Sequence, residues 1–284
     1  MKQKIPKAST YLTWAEQKKK QHKSVQEYTL MDDIFMSTVL SDPLACQHVL
    51  RIILQEPALI VREVTVQKTM PQLYGKSPRV DVTAEMPDGR IINIEVQQQS
   101  EVHYGRRLRF YTGTMVSQLL QRGIDYADLP DQVMIYICDT DIWLRNRTIY
   151  EFQMTEIYDS FQINDGLREI FVNTVVDDGS AIAQLMQYFT TADPYDMTQG
   201  ALSQQVNYYK VEQEGLRFMK SLSQQIYEDG HSSGLVTGRA EGMAKLSLKY
   251  MKKHACSLDT ALDDLDIELE DRPGIIAFVN KERL

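Results

Sequence analysis

The sequence predicts an α/β fold followed by a C-terminal helical extension. Three observations carry this. Arg79–Gln97 alternates apolar and polar residues on both sides of a tight-turn signal, the pattern of a β-hairpin. Gln132–Cys138 (QVMIYIC) and Leu167–Val172 are short apolar runs suited to buried strands, set among segments of helical spacing. Beyond about Asp193 the chain turns helical in character. The division expected is a basic arm over 1–28, a sheet-containing domain over 29–192 and a helical extension over 193–284.

In chain order, Thr29-Leu30-Met31-Asp32 resembles a capping box that opens a helix. Apolar residues from Ile34 to Leu54 continue its spacing, and Asp42-Pro43 marks a kink or a second helix start. Val61–Lys68 alternates as a first strand. In the hairpin, Met86-Pro87-Asp88-Gly89 has type I turn composition, with glycine where a left-handed residue is needed. That loop pairs Met86 with Arg90, so Glu85 faces Ile91, Thr83 faces Asn93, Asp81 faces Glu95 and Arg79 faces Gln97. Val80, Val82, Ala84, Met86, Ile92, Ile94 and Val96 share a core face; Asp81, Thr83, Asn93, Glu95 and Gln97 share the other. Glu101–Arg122 reads as a helix with Leu108, Tyr111, Met115 and Leu119 along one side, ended by Gly123. Gln204–Glu228 and Arg239–Lys253 are the helices of the extension. Between them Gly230, Gly234, Gly238 and Gly242 recur every fourth residue, as a close-packing face between helices or as a hinge.

The hairpin forces two acids together. Two ionised carboxylates about 5 Å apart repel by roughly 3 kcal/mol at an effective dielectric near 20. A divalent cation, a shared proton or a neighbouring arginine such as Arg79 offsets that, whereas two solvated acids on an exposed sheet face need no offset.

Bulk properties narrow the classes. With 284 residues, 43% of them hydrophobic and 25% charged, the chain has a globular composition. No apolar run reaches the ~18 residues of a membrane span and the N-terminus has no apolar signal core, so a cytoplasmic protein without a membrane partner is expected. Cys46, Cys138 and Cys256 have no metal-like spacing and read as buried reduced thiols. A net charge of −8 argues against a generic DNA-coating protein. The charge is uneven, however: lysines dominate the first 24 residues, and Asp259–Asp271 carries acids without a base.

An acid near a helix start, a strand, Asp81, thirteen intervening residues, Glu95-Val96-Gln97, then a helix carrying Tyr104, Arg106, Arg107 and Arg109 resembles the PD-(D/E)XK nuclease superfamily. Within it, MDDIFMSTVLSDP, YGKSPRVDV and NIEVQ resemble the recombination-promoting nuclease and transposase branch. The resemblance implies a restriction-endonuclease-like core, a mixed central sheet flanked by helices, and Mg²⁺-dependent hydrolysis of DNA phosphodiesters in recombination or transposition, with Mn²⁺ as a substitute. It places Asp81 and Glu95 as metal-binding acids, the Val96 carbonyl as a further ligand and Asp33 as the acid of the opening helix, with Asp32 competing for that place. Gln97 stands where the superfamily has lysine, as is common in this branch; its amide orients a water or phosphate but supplies no positive charge. Met36 stands where a phenylalanine is usual. Arg79, Arg106, Arg107, Arg109, Tyr104 and Lys76 are the candidate DNA contacts. The alternative is a DNA-binding or oligomerising member of the same fold with weak or no catalysis, self-associating through its C-terminal helices.

Overall fold

The computed structural model describes residues 24–69, 79–97, 104–119 and 125–282. Lys76, Gly123 and most of the basic arm lie outside them, as does the side chain of Lys68. The chain forms two compact units, Met1–Leu216 and Arg217–Leu284.

The first unit opens with α1 (Asp33–Leu40) and α2 (Pro43–Leu54). Helix α1 starts four residues after Thr29, not at it. The Thr29 N–H donates to Asp32 Oδ2 at 2.8 Å in a turn before the helix, and Asp32 becomes the N-cap residue. Asp42 caps α2, accepting from Leu44 N–H and Ala45 N–H, and Pro43 occupies the first turn, where its missing donor costs nothing. The chain therefore breaks at Asp42-Pro43 as the sequence requires. Phe35, Met36, Val39, Leu40, Val49 and Leu50 are buried.

Strands β1 (Glu63–Thr69), β2 (Arg79–Glu85) and β3 (Ile91–Gln97) follow, then α3 (Tyr104–Leu119), β4 (Gln132–Cys138), β5 (Ile149–Phe152), β6 (Leu167–Asn173), α4 (Ala181–Thr191) and α5 (Ala201–Lys210). The six strands form one mixed sheet in the order β1-β2-β3-β4-β6-β5. β1, β2 and β3 are antiparallel, β4 and β6 continue parallel to β3, and β5 closes the edge antiparallel to β6. Helix α1 packs across β1–β3. Leu108, Tyr111 and Met115 of α3 pack on Met134, Tyr136, Cys138 and Phe171.

The hairpin turn forms as its composition dictates. Gly89 N–H donates to the Met86 carbonyl, Met86 N–H donates to the Arg90 carbonyl, and Gly89 sits at φ 91°. Gly89→Ala is expected to cost about 1 kcal/mol through backbone strain, because no neighbouring atom lies where the methyl would go. Urea denaturation should show a lower midpoint at unchanged slope; an unchanged midpoint would mean that the turn relaxes freely.

Register is as predicted from Glu85↔Ile91 to Val82↔Ile94, but the β2–β3 ladder stops there. The predicted backbone pairs Asp81–Glu95 and Arg79–Gln97 do not form. On the other side of β2 the pairing with β1 skips Gln67 and Asp81, where Gln67 takes a left-handed φ of 50°. Val80, expected on the face of Val82, instead joins the α3-side cluster, next to the interrupted pair. The polar face is not solvated either: α3 covers it, and Thr83 and Asn93 are buried, with Thr83 Oγ1 donating to Asn93 Oδ1 at 2.8 Å.

β5 and α4 are not among the elements expected from the sequence. In the helical region, the break falls at Val211–Glu212, and α6 (Gln213–His254) runs unbroken through the glycine row, so that row is not a hinge. A long helix propagates through costly residues once nucleated. A Cβ at Gly230, Gly234, Gly238 or Gly242 would meet open space. In the second unit, Ala244 of α6 packs with Leu262 of α7 (Leu258–Asp264), Ile267, and Ile275 and Val279 of α8 (Arg272–Glu282). Cys46 and Cys138 are buried free thiols and Cys256 is half-buried.

Candidate active site

Where the β2–β3 ladder parts, a pocket of about 520 Å³ opens, lined by Met31, Asp32, Asp33, Arg79, Asp81, Glu95, Val96, Gln97, Arg107 and Tyr111. The parting has a local cause. The next hydrogen-bonded pair of the antiparallel ladder would use the Val96 N–H, which instead donates to Asp81 Oδ2 at 3.0 Å. Asp81 thus turns its carboxylate towards β3.

Both acids are buried, Asp81 at 7% and Glu95 at 1% exposure. Burial pushes the Asp81 carboxyl up to about 6, with Asp33 adding to the rise and the Val96 N–H and two arginines opposing it. Burial, then the charge of Asp81, pushes Glu95 up to about 9 against the pull of Arg107. Burial and the charge of Asp81 thus favour the proton-bearing form of Glu95 over that of Asp81. One oxygen of Glu95, Oε1, is buried without a hydrogen-bond partner. On the adjoining strand Tyr136, paired in register with Glu95, has an equally unpartnered buried hydroxyl.

Gln97 spans the rim of this pocket. Its Nε2 donates to the Val96 carbonyl at 3.0 Å, and its Oε1 accepts from Arg107 Nη1 at 3.0 Å. Arg107 also donates from Nη2 to the Tyr111 hydroxyl at 3.3 Å and lies 3.9 Å from Glu95 Oε2. Arg79, which the predicted register placed opposite Gln97, points elsewhere, with Nη2 3.9 Å from Asp33 Oδ2. Among the described residues the positive neighbour of Gln97 is Arg107.

The structure brings together Asp33, Asp81, Glu95, Val96, Gln97, Arg79 and Arg107 of the sequence-derived set. Asp33 sits at the half-exposed rim. Arg106 and Arg109 are exposed on α3, outside the pocket lining, whereas Tyr104 is half-buried with its ring edge-on to Tyr136. The sequence sets Arg107 towards Tyr104 and Tyr111 as a DNA contact, and the i, i+4 pair Arg107–Tyr111 forms, but nothing in the spacing places Arg107 on Gln97.

A buried, unpartnered Glu95 oxygen beside Asp81 suits a hard divalent cation. Mg²⁺ is usually held by one or two carboxylates plus waters and substrate phosphate. Among the described residues there is no cluster of three or more His, Cys, Asp or Glu arranged to hold a metal. The fit therefore rests on Asp81 and Glu95, with the Val96 carbonyl already accepting from Gln97.

A mixed sheet flanked by helices, with two acids meeting where a hairpin opens, defines a PD-(D/E)XK-like core. Residues 47–175 match the family described as PD-(D/E)XK nuclease family transposase. The matched segment contains Asp81, Glu95, Gln97 and Arg107 but not Asp33. No curated protein and no solved structure matches the chain. Among the described residues, no helix is long and apolar enough to cross a membrane.

Proposed function

We propose that the pocket is the site of a divalent-metal-dependent DNA endonuclease that hydrolyses phosphodiesters during recombination or transposition of mobile DNA. The observation that carries this reading is the buried Asp81–Glu95 pair with its orphaned oxygen, within the segment that matches the nuclease family. Asp81, Glu95 and the Val96 carbonyl would hold Mg²⁺ or Mn²⁺, and Asp33 stands at the rim. The bound cation supplies Lewis acidity and an acidified water. The chain's own residues do the rest: the strands hold the acids out of solvent, and Gln97 fixes the Val96 carbonyl and Arg107. Arg79, Arg106, Arg109, Tyr104 and Lys76 remain the proposed contacts to the DNA backbone, in a cytoplasmic protein.

A second reading is a DNA-binding, self-associating protein of the same fold with weak or no hydrolysis. Two points favour it over the first: the missing third ligand side chain among the described residues, and the engagement of both ends of the Gln97 amide. The open glycine row of α6 supports self-association through the C-terminal helices.

Supercoiled plasmid incubated with Mg²⁺ or Mn²⁺ separates the two. The first reading expects nicking by the wild type that falls by about 100-fold or more in Asp81→Ala. Equal nicking by both proteins would assign the cleavage to a contaminant. DNA binding without nicking at any metal or salt concentration would leave the second reading.

A further inference from the structure

We propose that Arg107, held in place by Gln97 and Tyr111, is the group that binds the DNA phosphate at the carboxylate pocket. This rests on the pocket being the DNA site and deepens that reading.

Among the described residues the pocket lining holds two cations, and they differ in setting. Arg79 has a side chain 51% exposed and lies by the rim acid Asp33. Arg107 is 26% exposed beside a Glu95 side chain that is 2% exposed, so it is deep enough to escape much solvent screening and open enough to be reached. Its guanidinium is fixed at both ends, by Gln97 Oε1 on β3 and by the Tyr111 hydroxyl one turn along α3, with the Tyr111 ring 5.3 Å away. Fixing the fork in advance lowers the ordering cost of a two-pronged contact to phosphate oxygens.

The arrangement also accounts for glutamine at a position where the resembled motif has lysine. A neutral amide has a donor end and an acceptor end. Here the donor end holds the Val96 carbonyl and the acceptor end holds a cation delivered from another element. A lysine at position 97 would place a second positive charge against Arg107. Gln97 is thus a positioning residue, and the charge comes from α3.

The test compares wild type, Arg107→Ala and Arg107→Lys after melting curves establish that each is folded. Affinity for a short duplex DNA is measured in Ca²⁺ over a series of salt concentrations, Mn²⁺ affinity is measured without DNA, and nicking is measured in Mg²⁺. A phosphate contact predicts that Arg107→Ala weakens duplex binding by about 10-fold and lowers the salt slope by about 1. Mn²⁺ affinity should be kept or tightened, since a positive charge leaves the neighbourhood of Glu95. Arg107→Lys should recover the salt slope but only part of the affinity, because a point charge replaces the fork. A duplex affinity and salt slope unchanged in Arg107→Ala would overturn the proposal, whatever the nicking result. A wild type that never nicks, yet loses salt slope on Arg107→Ala, would remove the hydrolysis reading and leave Arg107 supported.

Discussion

Glu95→Gln is expected to abolish metal-dependent nicking, by about 100-fold or more, and at the same time to raise the melting temperature of the metal-free protein at pH 8. The two effects share one cause. Glu95 is almost wholly buried, its Oε1 has no partner, and burial with the charge of Asp81 holds its carboxyl near 9. Folding at pH 8 therefore requires a group that is ionised in the unfolded chain to take up a proton. That uptake costs about 1.4 kcal/mol for every pH unit by which the solution lies above the ordinary titration of a glutamate. Glutamine has nearly the same shape and nothing to ionise. Its amide brings an orphan donor, which offsets part of the gain, so the net rise expected is about 2 °C or more. The checks are plasmid nicking in Mg²⁺ and a thermal melt in chelator. A fall in melting temperature would show that Glu95 stabilises the metal-free fold, contrary to the electrostatics of the pocket.

The second large effect is a coupling between protons and metal. Both acids have folded values above their ordinary ones: Asp81 about 6 against 3.8, and Glu95 about 9 against 4.5. Between those limits the folded protein binds more protons than the unfolded chain, so stability falls as pH rises. For Asp81 the fall runs from about 4 to 6, and for Glu95 from about 4.5 to 9. Below both windows the penalty is absent. A divalent cation replaces the Glu95 proton, so Mn²⁺ binding at pH 7 should release about one proton, and affinity should climb with pH until Glu95 ionises near 9. Saturating metal should flatten the decline in stability, adding about 2.7 kcal/mol at 100 times the dissociation constant. Calorimetry in buffers of different ionisation enthalpy counts the proton. Metal binding that is independent of pH, with no proton released, would rule the carboxylate pair out as the metal site.

Much of the hairpin was legible because its information is local. Pro87 and Gly89 fix the turn, the turn fixes the register from Glu85 to Val82, and period-two alternation assigns the faces that far. The Asp42-Pro43 break and the strand at Gln132–Cys138 were legible for the same reason. The edge strand β5 was not, since four residues, only one of them buried, give too short a pattern. Helix α4 did carry a signal that went unread, Ser180 capping Ala183 N–H ahead of an apolar face.

Local chemistry is enough to bring Asp81 and Glu95 near each other across a hairpin, and residue identity alone shows that Gln97 leaves the motif one positive charge short. How the acids meet, and where a charge comes from, follow from the packed fold. The Val96 N–H leaves the ladder for the Asp81 carboxylate, and α3 lays Arg107 onto Gln97. Turn chemistry acts over a few residues and is written in them. The competition of a buried carboxylate with a backbone acceptor for one N–H, and the docking of a helix ten residues further along the chain, depend on what else is buried there.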